Sequence, residues 1–213
     1  MQALVVLVVV ALVLVAIYLG HQVAEKRREA LAALAAELRW SFSPEKDTRH
    51  DDEYAHFEID DRSFSAKVGD FRYKITSSNG KATTTRTHRF SYRILQLPFS
   101  GLPDLLIRPE GVFDKMAGAF GFDDIDFESA EFRRRFYVKS PDRRFAYDVV
   151  SPRMMGFLRR RSGPAIDLER DRCCLSDGRR RWEPDQIKSQ SRFASTFFER
   201  WPDHVVAELS LTR

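Results

Sequence analysis

From Gln2 to Gly20 the chain carries no charged side chain, and valine and leucine dominate. No polar stripe interrupts the run, as one would in a helix half-buried in a soluble core. At about 1.5 Å of rise per residue, this stretch covers roughly 28 Å, close to the hydrocarbon thickness of a bilayer. A cleavable leader would start with a cation and finish on small residues at positions −3 and −1. Here nothing ahead of Val23 is charged, and bulky Tyr18 stands where a small residue belongs. The pattern predicts an anchor that stays in place, in preference to a removed signal or a soluble helix.

The period then changes. The stretch "EKRREALAALAAELRW" is rich in helix formers, and Leu31, Leu34 and Leu38 share one helical stripe. The helix should continue toward Arg39 and dock that stripe on the domain. Pairing with a second copy is disfavoured, because two heptads are too few for a coiled coil. The polar residues 43–53, with one proline, read as a linker.

Strand alternation follows: Ala55, Phe57 and Ile59, then Phe64, Ala66 and Val68, then Phe71, Tyr73 and Ile75. The parity shift between Val68 and Phe71, with Gly69 between them, predicts a bulge. Asn79-Gly80 predicts a type I′ hairpin turn that pairs Ile75 with Thr84 and Phe71 with His88. Past the bulge, Val68, Ala66 and Phe64 would then face Phe90, Tyr92 and Ile94, all on one face.

The second half alternates shorter elements. Residues 102–111 read as a strand ended by proline, 112–121 as a brief helix closed by glycine, and "DIDFES" and "FRRRFYVKS" as short strands. Phe132, Phe136 and Val138 would share one face of the latter, with Asp142 or Asp148 holding Arg133 or Arg135. Pro141-Asp142 opens a helix, and Ser151-Pro152 caps a second. Residues 165–182 suggest a hairpin turning at Asp177-Gly178. A last amphipathic helix runs from Pro184 to Glu199, and Trp201-Pro202 breaks or restarts it. The expected fold class is α+β: a transmembrane anchor at 1–20, a helical juxtamembrane linker at 21–39, and a cytoplasmic domain at 40–213. That domain would hold a mainly antiparallel sheet with a long bulged hairpin and packed helices.

About 170 residues beyond the linker suffice for a substantial core, and the 17 phenylalanines supply much of it. A net charge of +4 and a pI near 9.2 describe a mildly basic surface and argue against a nucleic-acid binder. Lys26, Arg27 and Arg28 follow the apolar run with no cation ahead of it. That asymmetry places the N-terminus outside and the domain in the cytoplasm, at the inner (cytoplasmic) membrane of the cell. Arginine triplets at 133–135, 159–161 and 179–181 are expected as solvated, acid-paired faces; attraction to anionic lipid is the second reading. Cys173 and Cys174 are neighbours that would point to opposite faces of a strand, so free thiols are expected.

Chemistry is sparse. Asp124, Asp126 and Glu128 would share one strand face and could offer oxygen ligands to a hard cation. No calcium-loop glycine or partner histidine motif accompanies them, and a solvated or arginine-paired face is expected. The histidines are not spaced as a zinc pair, and His88 is expected as a structural, hydrogen-bonded group. No nucleophile elbow or phosphate-cradling loop occurs in the sequence. No catalytic, cofactor-binding or metal residue is therefore assigned, and an enzyme is disfavoured. The expected function is a membrane-tethered binding or assembly module whose partners are the bilayer, through the N-terminal helix, and an anionic lipid or a protein. The alternatives are a metal-dependent enzyme using the Asp124/Asp126/Glu128 face and an anionic-lipid surface sensor.

The segments "LLIRPEG" and "GFDDIDFESAEFRRRFYVKSPDRRFAYDVVSPRMMGFL" carry a resemblance. They are similar to bacterial membrane-anchored proteins with one N-terminal transmembrane helix and a cytoplasm-facing domain, over residues 102–158 and more weakly over 36–100. The resemblance implies that architecture and no activity, cofactor or site residue. Those proteins carry a longer segment between the strands that correspond to "HFEI" and "RSFSAKVGD"; here Asp60-Asp61 joins them directly.

Overall fold

The fold is that of a computed structural model, which describes residues 1–44, 54–61, 64–78, 83–99, 101–110, 124–160, 163–178 and 180–211. It is α+β. One unbroken helix, α1 (Gln2–Leu38), leads into a mostly antiparallel sheet with further helices. Along α1 residues 2–21 are exposed, and this helix is long and apolar enough to cross a membrane. It ends through Arg39 in the left-handed region (φ 56°), with the Trp40 N–H returning to the Ala35 carbonyl.

The strands are β1 (Ser41–Ser43), β2 (Tyr54–Asp61), β3 (Phe64–Ser78), β4 (Thr83–Gln96), β5 (Leu102–Pro109), β6 (Phe136–Lys139), β7 (Ala165–Arg170) and β8 (Arg172–Ser176). They form one sheet in the order β1-β2-β3-β4-β8-β7-β5-β6, every pair antiparallel. Among the described residues the further helices are α2 (Ala130–Arg133), α3 (Arg143–Val149), α4 (Pro152–Arg160), α5 (Pro184–Phe198) and α6 (Asp203–Leu211). Period-2 alternation sends Ala66, Val68, Leu95, Leu105, Ile107, Ile166, Leu168 and Leu175 to one face. There they share a single core with Leu31 and Leu34 of α1 and with residues of the other helices. Trp182, Phe132, Phe197 and Met154 are among the side chains fully enclosed there.

The leucine stripe of α1 docks as expected. Leu31 and Leu34 are each 2% exposed, Ala35 is buried beside them, and Leu38 packs against the same core. Burying two leucines contributes on the order of 3–6 kcal/mol, far more than a two-heptad stripe gains by itself in solvent.

The long hairpin is present with a different register. Pairing runs without a break from Ala66↔Leu95 through Asp70↔Ser91 and Phe71↔Phe90 to Ser78↔Thr83, so there is no bulge at Gly69. The expected pairs Ile75 with Thr84, Phe71 with His88 and Val68 with Phe90 are all displaced. The expected Asn79-Gly80 turn lies outside the described residues. Gly69 serves another purpose: a Cβ there would meet the Tyr92 ring opposite at 2.7 Å. Ala66 and Val68 therefore face the helices, while Phe71 lies on the other face and meets Phe90 at 5.3 Å between ring centroids. An unbroken ladder keeps every rung hydrogen-bonded, and this second aromatic cluster removes the reason to gather all apolar residues on one side.

Three other expectations are corrected. The β7–β8 hairpin turns at Arg170-Asp171, with Arg170 at φ 57°, and not at Asp177-Gly178. Phe132 reaches the core from the helical turn α2, capped by Ser129 Oγ, and not from a strand shared with Phe136 and Val138. The residues expected to form a linker include Ser43, which ends β1; residues 45–53 and the expected helix at 112–121 lie outside the described residues. By contrast, Asp142 caps α3, Ser151 caps α4 with Pro152 first, and α5 starts at Pro184, as the pattern indicates.

Candidate functional site: an arginine-lined cleft beside a buried clamp

Where α1 leaves its apolar run it is gripped by the sheet. Arg27 donates through Nε and Nη2 to both oxygens of Asp70, at 3.2 and 3.1 Å. Asp70 is 5% exposed, and Ser91 Oγ opposite it on β4 also donates to its carboxylate. The Ser91 hydroxyl in turn accepts the Trp182 N–H at 2.8 Å, while the Ser91 N–H donates to the Arg180 carbonyl. One buried carboxylate thus joins α1, β3, β4 and the segment leading into α5. A bidentate guanidinium–carboxylate pair with its other lone pairs engaged is the geometry that offsets desolvation of the two charges. Farther along, Lys188 of α5 reaches both oxygens of Glu37 at 2.7 Å. On the same sheet face Arg93, 2% exposed, donates to Ser191 Oγ of α5.

Above the clamp lies a cleft of about 330 Å³. Leu19, Val23 and Ala24 of α1 line it with aliphatic side chains, and Arg27, Arg28, Arg89 and Arg181 line it with cationic ones. Arg27 is neutralised by Asp70 and also lies 3.9 Å from the exposed Glu183. Among the described residues no carboxylate lies within ion-pair distance of Arg28, Arg89 or Arg181. The described lining contains no Ser, Cys, His, Asp or Glu. The cleft therefore offers cationic side chains beside aliphatic ones.

The acidic segment does not converge. Ile125 and Phe127 are buried while Asp124, Asp126 and Glu128 are exposed, as the alternation predicts, but the expected strand does not form: only Asp124 pairs, by an isolated bridge. The Asp124 carboxylate accepts the Val138 N–H at 3.1 Å, and its backbone forms an isolated antiparallel β-bridge with Lys139; Asp126 lies 3.5 Å from Arg133. Among the described residues no three His, Cys, Asp or Glu groups are placed to hold a metal ion. The expected Asp142 and Asp148 partners of the first arginine triplet have other roles. Asp142 accepts the Phe145 N–H, and Asp148 lies beside Arg144 and His204. Arg159 pairs with Glu131 and Arg180 with Asp177, as solvated arginine faces do. A smaller cavity of about 180 Å³ near Gly101 is lined by Asp142, Arg144, Asp148 and Glu208, which are engaged in that cap and those pairs.

Two titrating groups stand apart. Asp167, on the sheet face away from the helices, is pushed up to about 6 by burial first, then by Glu169 and Asp104. Cys173 is a fully buried thiol, raised well above its ordinary value chiefly by burial, whereas its neighbour Cys174 is half-buried.

Sequence reasoning missed Asp70, Ser91 and Arg93. The signal was present: Ala66, Val68 and Asp70 continue one parity, as do Ser91, Arg93, Leu95 and Leu97. A charge that extends an apolar period-2 series is a buried charge in need of a partner. Comparison with protein-family models, curated proteins and solved structures finds no match for this chain.

Proposed function

We propose that this protein is a single-pass, membrane-tethered module, held rigidly at the cytoplasmic surface of the inner membrane, that binds or assembles partners there without catalysis of its own. The observation that carries this reading is the seating of α1. Seven residues beyond Gly20 the helix is clamped through Arg27–Asp70, and four residues later Leu31 enters the core. A removable leader has no reason to continue as one helix into the core of the folded chain. Lys26, Arg27 and Arg28 flank the apolar run on this side alone, which supports a cytoplasmic domain. A binding role is supported by the outer part of the β3–β4 hairpin. Among the described residues no other strand pairs with its edges beyond Asp70 and Ser91, and its rungs Thr76–Thr85 and Ser78–Thr83 are exposed. Unpaired edges accept an added strand.

The test is a pair of C-terminal fusions in cells. Green fluorescent protein should fluoresce and alkaline phosphatase should stay inactive, with the chain resisting alkaline carbonate extraction. An active phosphatase fusion, or release by carbonate, overturns the reading.

A further inference from the structure

We propose that the cleft between α1 and β4 binds the phosphate group of an anionic phospholipid, a deepening that rests on the anchor reading above. Three observations converge. The first is chemical: Arg28, Arg89 and Arg181 line one cavity, and among the described residues no acid answers them. Guanidinium forks match phosphate oxygens in a planar, bidentate way that other cations do not.

The second is polarity. Leu19 and Val23, 56% and 58% exposed, line the cleft from the end of the apolar run, on the same helix as Arg28, while Arg89 and Arg181 come from other segments of the chain. A free inorganic anion has no use for such a lining; a headgroup that continues into glycerol and acyl chain does. The third is position. Arg27 and Arg28 lie about 10–12 Å beyond Gly20 along the helix axis, and the headgroup layer extends roughly 5–8 Å past the hydrocarbon edge. Side chains on a helix lean toward its N-terminus, here toward the bilayer, and a long arginine stem covers the remaining distance. The clamp keeps the cleft at that depth: an undocked linker would carry Arg89 and Arg181 beyond the roughly 8 Å reach of lipid charge at physiological ionic strength.

The experiment uses the full chain in phosphatidylcholine vesicles that contain spin-labelled phosphatidylglycerol or spin-labelled phosphatidylcholine, and reads the motionally restricted fraction. Wild type should retain phosphatidylglycerol selectively. In R89Q/R181Q the selectivity should fall roughly fivefold per arginine removed, the factor equivalent to about 1 kcal/mol per cation at an anionic surface. R28Q, on the exposed side of α1, repeats the test without touching the sheet. R143Q/R153Q, which removes the same charge from exposed positions on α3 and α4, should leave selectivity unchanged. Equal losses in both double variants would reduce the effect to diffuse charge and overturn the site. Abolition by millimolar inorganic phosphate would identify a soluble anion and overturn the lipid assignment. Carbonate-resistant insertion without selectivity overturns the headgroup site alone, whereas failure to insert overturns the anchor reading and the site with it.

Discussion

Asp70 concentrates the energetics of the helix–sheet junction in one carboxylate. It is 5% exposed and receives Arg27 and Ser91 from two different elements. Asp70→Ala leaves the Arg27 guanidinium, 13% exposed, with its bidentate partner gone. That loss should cost about 3 kcal/mol, whereas replacing both partners, Arg27→Met with Asp70→Leu, should cost clearly less. Thermal unfolding of the full chain in micelles checks this; equal losses would mean that the pair matters only as packing. Asp167 has the opposite character. Burial, Glu169 and Asp104 favour its neutral form in the fold, so it binds a proton at about 6 when folded and only near 3.8 when unfolded. Its contribution to stability is complete below the unfolded value and is lost as pH rises through about 6, a change on the order of 2–3 kcal/mol. Asp167→Asn should therefore raise the Tm at pH 8 and flatten its pH dependence between about 4 and 7. An unchanged profile would assign the titration to other groups.

The β3–β4 hairpin shows at the level of one element what its residues disclose and what they withhold. Strand identity, the antiparallel pairing and the position of the turn region follow from alternation and from Asn79-Gly80. The register does not, because either a bulge or a second aromatic face explains the parity shift at Gly69, and only packing decides between them. Tyr92 decides it: its ring occupies the space over Gly69. Placing a bulge there would also turn Asp70 away from Ser91, which is why the clamp stayed hidden. Gly69→Ala should thus destabilise the chain by about 1–3 kcal/mol through overpacking against that ring. Urea unfolding reads the loss, and a neutral outcome would show that the ring moves aside freely. The caps at Asp142 and Ser151 and the start of α5 at Pro184 were legible because each is a local device. The turn at Arg170 was not, since nothing in an arginine announces a positive φ, and Asp177-Gly178 offered a stronger signal nearby.

For the whole molecule, the fold is α+β, and the long N-terminal helix is at once a candidate membrane span and part of the core. Residues 2–21 of it are exposed, and Leu31, Leu34 and Ala35 are buried. The sequence indicated both halves of that helix, because an uninterrupted apolar run and a leucine stripe are periodic signals that need no partner to be read. It could not indicate the cleft, which needs Arg28 of α1, Arg89 of β4 and Arg181 ahead of α5 to meet across long sequence separations. The central claim of the proposed function is that the apolar part of α1 and the domain move as one rigid body at the bilayer. It is tested most directly by the spin–spin distance between labels at His21, where the apolar run of α1 ends, and Ser195 of α5, both exposed, in the full chain reconstituted in membranes. A single narrow distance distribution, broadened by Asp70→Ala, is the predicted result; a broad distribution in the wild-type chain would contradict it.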